Sequence, residues 1–169
     1  MRESSVFTAP FRGITFNMRR SDREITDRAE IDGILNANAV CTLALADGGM
    51  PYAVTMNYGY ADGCLYLHCA REGRKIDILR RNPVVAFSVY DSAETVGGKE
   101  ACDWTSRYRS VYGEGTAEFL ESVDEKRRGL LALMRQTSGS AAWDIPDRAL
   151  AQVNVIAIRI AGVSGKKHV

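Results

Sequence analysis

The chain has little with which to build a metal centre. Among its 169 residues are two histidines, His68 and His168, and four cysteines that form no CxxC pair. That inventory argues against a histidine-rich metal site and against zinc held by paired cysteines. Unbalanced charge is also missing: 22 basic residues face 21 acidic ones, a formal net charge of +1. A nucleic-acid coat protein would need a basic excess, so no nucleic-acid partner is expected. No apolar run approaches the ~20 residues of a membrane-spanning helix. The first residues lack the basic start and apolar stretch of a secretory signal. The expectation is a cytoplasmic protein without a membrane partner, its Cys41, Cys64, Cys69 and Cys102 reduced and mostly buried. Repeats, low-complexity tracts and interdomain linkers are absent as well.

What is present fits one globular domain. The composition is 46% hydrophobic and 25% charged, ordinary for a chain that buries a single core. Residues 1–24 are polar and broken by Pro10 and Gly13, and read as an arm; residues 25–169 read as the domain. Asp27 to Glu30 suggests a capping box, with Ile31, Ile34 and Leu35 at helical spacing and an end near Asn38. Residues 39–46 predict a buried strand, 47–49 a hairpin turn, and 51–60 and 64–70 two further strands. A short helix follows, with Ile76 and Leu79 toward the core, stopped by Asn82-Pro83. Strands are expected at 84–91, 108–121 (bent at Gly113 and Gly115) and 153–163, with a loop at 92–106. Ser122 to Glu125 is a second capping box, opening a helix that stops near Ser138-Gly139. Trp143 is expected in the core, and the tail after Gly165 is expected to be unstructured. Six strands, mostly joined by hairpins, predict a mainly β fold: a small antiparallel barrel with peripheral helices.

One stretch conflicts with local electrostatics. LHCAREGRKIDILRRNP (67–83) places Arg74 and Lys75 in the first turn of a helix, after Gly73. The N-terminus of a helix carries partial positive charge and unpaired N–H groups, so cations there are disfavoured unless an anion answers them. Arg80 and Arg81, at the other end, suit the dipole. Taken alone, the feature favours two solvated cations beside Glu72.

Four segments in order, MRRSDREI (18–25), PYAVTMNYGYADGCLYLHCA (51–70), GRKIDILRRNP (73–83) and YRSVYGEGTAEF (108–119), resemble the FMN-binding split barrels related to pyridoxamine 5'-phosphate oxidase, and most closely their 5-nitroimidazole resistance (Nim) branch. The resemblance implies a six-stranded antiparallel split barrel and a homodimer with FMN between the subunits. It implies that Arg74 and Lys75, with Gly73, hold the FMN phosphate. By the same resemblance His68, Cys69 and Ala70 lie along the flavin, and Thr55, Met56 and Asn57 border its ring. Ser110 stands where the oxidases have a glutamine that reaches the partner's flavin. Pro51-Tyr52 replaces an arginine of the oxidases, and their C-terminal tryptophan and arginine have no counterpart in IRIAGVSGKKHV (158–169). The implied activity is therefore reduction of a small electrophile, such as a nitroaromatic compound, rather than oxidation of pyridoxamine phosphate. His68 is the candidate proton donor, because its unperturbed pKa lies near neutrality. The alternatives are a flavin-binding protein without turnover, and a haem-binding relative in which His168 ligates iron.

Overall fold

The computed structural model describes residues 18–169. Most of the expected arm lies outside the described residues; its end, Glu24–Ile25 (β1), pairs with the last strand. Helix α1 (Arg28–Ala37) follows, then β2 (Val40–Asp47), β3 (Met50–Asn57), β4 (Gly59–Ala61), β5 (Cys64–Cys69), α2 (Arg74–Arg81) and β6 (Val84–Val96). After these come β7 (Thr105–Leu120), α3 (Val123–Ser138), α4 (Asp147–Leu150) and β8 (Asn154–His168). The strands form one antiparallel sheet in the order β3-β2-β6-β7-β8-β5-β4, with β1 on β8. Both ends of that order reach the same core: Tyr52, Val54 and Met56 of β3 pack on the cluster that holds Leu65 and Leu67 of β5. The sheet thus curls round one interior, the split-barrel arrangement.

The alternation of side chains explains which faces are covered. β2, expected to be a buried strand, is covered on one face only: Cys41, Leu43 and Leu45 are buried while Val40, Thr42 and Ala44 are exposed. On β8 both faces are buried: Ile156 and Ile158 join the barrel core, Val155 and Ala157 the cluster beneath α3. A strand covered on both sides needs no polar alternation, hence the continuous apolar run VIAI (155–158).

The structure changes several expectations. The described residues form eight strands rather than six. The expected strand 51–60 breaks at Tyr58, which is fully buried and donates its hydroxyl to Leu35 O at 2.8 Å. Its own N–H turns to Ala39 O, so β3 and β4 separate, and β1 adds the eighth. The expected loop 92–106 is largely a ribbon, with β6 running to Val96 past a bulge between Asp91 and Ala93, and an Arg107–Glu94 ion pair across it. The tail after Gly165 is strand too, paired with β7 out to Tyr108 opposite His168 and tied by Lys167 to Glu30 at 2.8 Å. Glu30 is thereby taken, and Asp27 caps α1 alone by accepting from the Ala29 N–H. The second capping box, Ser122 with Glu125, is present in full. Trp143 is 50% exposed rather than in the core. No described helix is long and apolar enough to cross a membrane.

The four thiols are free and differ sharply in burial. Cys102 is exposed, while Cys41 and Cys64 are buried, and burial pushes the Cys41 thiol from 9.0 up to about 12. A disulfide-exchange reagent at pH 8 should therefore modify Cys102 rapidly, and Cys41 and Cys64 only in denaturant. Two fast buried thiols would contradict this burial. Because the folded pKa is raised, the thiol form of Cys41 contributes stability below about pH 9 that is lost toward about 12. Burial raises Tyr58 likewise, so the melting temperature should fall with pH over that range.

Candidate functional site

Helix α2 is anchored by Ile76, Ile78 and Leu79, each 1–2% exposed, so its first turn is held against the barrel end. Gly73 precedes it at φ 122°, a backbone conformation that side chains rarely tolerate. The first helical bonds run from the Ile76 and Asp77 N–H groups to Gly73 O, which leaves the amides of Arg74 and Lys75 ahead of the ladder. The Arg74 guanidinium lies 4.8 Å above the Tyr52 ring, with Nε 3.8 Å from Asp47 Oδ2. Asp47 is better engaged by Arg81, at 2.7 Å, so it answers Arg74 only in part. Lys75 is half-buried, and its Nζ donates to Met56 Sδ at 2.9 Å. A thioether is a weak acceptor and a poor partner for an ammonium ion. Two incompletely answered cations thus converge on a helix N-terminus that offers N–H groups. That donor set suits a phosphate.

Cys69 closes the inner side of this cradle. Burial raises its thiol and the nearby Lys75 charge opposes that rise, so the group stays protonated at neutral pH. Met56, half-buried, points inward with it. Thr55 and Asn57, its neighbours on β3, face outward and are exposed. Among the described residues β3 pairs only with β2, so its other edge presents backbone groups without a strand partner among them beside the cradle. Ala70 is exposed, its carbonyl accepting from Asn154 Nδ2 at 3.1 Å.

The remaining candidates lie elsewhere within the chain. His68 alternates with Cys69 and faces the opposite side of β5, where it lines a cavity of about 310 Å³ with α3 and Trp143. Its side chain makes no hydrogen bond to any described residue. Ser110, half-buried, donates to Lys166 O at 3.5 Å and pairs with Tyr90. Ser110 thus stands on β7, three strands across the sheet from β3, with its hydroxyl turned to β8. Sequence reasoning missed Asp47 and the stacking of Tyr52. Tyr52 was detectable as the residue in place of an arginine; Asp47 had no local signal, because its partners are 27 and 34 residues away.

His168 lies at the end of β8, its Nδ1 2.9 Å from Ser106 O, beside Arg20, Asp22 and Lys167. These are charged, open surroundings, unlike the apolar slot a haem needs. Among the described residues no group of three His, Cys, Asp or Glu side chains could hold a metal ion.

The outer face of β3, β2 and β6 carries no charge over Ala53, Thr55, Thr42, Ala44, Ala86 and Ser88, flanked by exposed Val40, Val84 and Tyr90.

The sequence profile of the family described as pyridoxamine 5'-phosphate oxidase matches residues 27–167. A candidate 5-nitroimidazole antibiotic resistance protein from Bacteroides thetaiotaomicron is 32% identical, with a TM-score of 0.76 and 85% of each chain covered. An FAD- and haem-binding protein from Mycobacterium smegmatis is 25% identical, with a TM-score of 0.76 over 86% of this chain and 73% of that one. An FAD-binding protein from Mesorhizobium loti is 28% identical, with a TM-score of 0.65 over 87% of this chain and 98% of the other. No curated protein matches the sequence.

Proposed function

The chain belongs to the pyridoxamine 5'-phosphate oxidase family, and we propose that within it this protein is an FMN-dependent reductase of small electrophiles such as 5-nitroimidazoles. The observation that carries the reading is the pair of poorly answered cations, Arg74 over Tyr52 and Lys75 against Met56 Sδ, at the N-terminus of α2. FMN, when bound, supplies the redox chemistry. Arg74, Lys75 and their amides hold its single terminal phosphate. Gly73 lets the backbone approach, Cys69 and Ala70 line the turn, and Met56 with the free edge at Thr55 and Asn57 borders the ring. His68, on the face of β5 opposite Cys69, gives a proton to an acceptor bound in the cavity that it lines.

The second subunit completes the site. The uncharged outer face of β3, β2 and β6 suits burial against another copy. The ribbon carrying exposed Trp104, with Tyr90 stacked on Tyr108 at 6.4 Å, extends that surface. Its length brings Ser110, three strands across the sheet from β3 of its own chain, toward the partner's flavin.

One purification tests the reading. The protein should be yellow, absorbing near ~450 nm as flavins do, and release FMN by mass. Light scattering should give twice 18.6 kDa. Reduced protein should reduce a 5-nitroimidazole, and His68→Asn should keep the flavin but slow that step at least tenfold. A haem band near ~400 nm in place of flavin would refute the reading, since the tetrapyrrole absorbs there. Tight FMN binding without turnover on a nitroaromatic panel would leave a binding protein only.

A further inference from the structure

The cavity beside His68 is built, not incidental. Helix α3 supplies Leu130, Leu133 and Met134 as its floor, and residues 143–146 form the opposite wall. That wall is fastened at both ends. The Trp143 indole N–H donates to Ser138 Oγ at 3.1 Å, and Ser138 in turn donates to Met134 O at 2.7 Å. At the far end Arg127 pairs with Asp147 and reaches Ile145 O at 3.5 Å. Loop residues held in this way present a preformed surface, which lowers the ordering cost of binding.

The lining selects the ligand. An engineered apolar cavity of ~150 Å³ holds benzene, and ligand pockets begin near ~300 Å³. At about 310 Å³ this cavity admits one or two fused rings. Among the described residues its ionisable lining is His68 and Asp144, with no lysine or arginine, so an anion would meet a carboxylate and no fixed cation from them. Apart from Asp144 and the His68 imidazole, which offers a polar contact, the lining is apolar, and Trp143 offers a ring to stack on.

We propose that the cavity between α3, the 143–146 segment and the end of β5 binds a neutral planar aromatic molecule of one or two rings, stacked on Trp143 and hydrogen-bonded to His68. As a binding site it stands on the cavity alone; as the place of the electron acceptor it rests on the flavin reading. Such a molecule sits on the face of β5 opposite Cys69, so its binding does not require the phosphate cradle.

Isothermal titration of the full chain, with the cofactor it carries, uses 2-naphthol as the neutral probe and 2-naphthoate as the anion of the same size. The wild type should bind 2-naphthol and take 2-naphthoate at least tenfold more weakly. Trp143→Ala removes the stacking ring, and Ala149→Phe fills the cavity from an exposed position. Each should weaken 2-naphthol at least tenfold while leaving FMN affinity and molecular mass unchanged. Four results overturn the proposal: no binding of 2-naphthol to the wild type, equal binding to wild type and both variants, equal affinity for the two probes, or loss of FMN or of the dimer in Trp143→Ala. Because FMN affinity is read separately, failure here is distinct from failure of the flavin reading.

Discussion

Alanine at both Arg74 and Lys75 is expected to weaken FMN binding by at least a hundredfold while leaving the fold intact. Each hydrogen bond to a charged partner contributes roughly 1.5–3 kcal/mol, and about 1.4 kcal/mol corresponds to a tenfold change. Arg74 is exposed and already shares Asp47, so the lower end of that range applies to it. Lys75 is half-buried against a thioether and gains more from a phosphate. Folding should suffer little, since two cations leave the wrong end of a helix dipole and α2 keeps Ile76, Ile78 and Leu79. Riboflavin, which has no phosphate, should bind weakly and almost equally to both proteins. Titrating each ligand into each protein gives the answer; FMN affinity that survives the double substitution would move the phosphate away from α2.

Gly59→Ala should cost about 3 kcal/mol or more in stability, the upper end of overpacking effects, because the obstacle is main chain. A Cβ at Gly59 would lie 2.3 Å from Ala132 C and Leu133 N, so α3 would have to withdraw from β4. That contact is locked further by Gln136, which accepts from the Tyr60 N–H and donates to Leu35 O at 2.6 Å. At roughly 2–4 °C per kcal/mol for a chain of this size, the melting temperature should drop by about 6–12 °C or more. Gly33→Ala is the matched control: nothing lies within 4 Å of its Cβ, and alanine is a better helix former by roughly 0.5–1 kcal/mol. That variant should melt slightly higher. A Gly59→Ala protein as stable as the wild type would mean that α3 does not rest on β4 as described. Since Leu133 also floors the aromatic cavity, the same substitution should disturb binding there.

Local chemistry made much of this protein legible. The strand expected at 39–46, the Ser122–Glu125 capping box, the stop at Asn82 and the cations opening α2 depend on residues within a turn or a strand of each other. Short-range periodicity, capping and charge therefore placed these elements, and raised the question of the anion. Contacts across long sequence separations were not legible. Tyr58 breaks a strand because Leu35 lies within reach of its hydroxyl, and the tail to His168 is ordered because β7 is there to pair with it. The most consequential case is β5. Alternation predicts that His68 and Cys69 face opposite ways, but not what waits on either side. Only the curl of the sheet puts Lys75 and Met56 beneath Cys69 and folds α3 with Trp143 over His68. Side-chain direction along a strand is a property of the backbone; what His68 meets is decided by elements that arrive from 60 residues or more away in the chain.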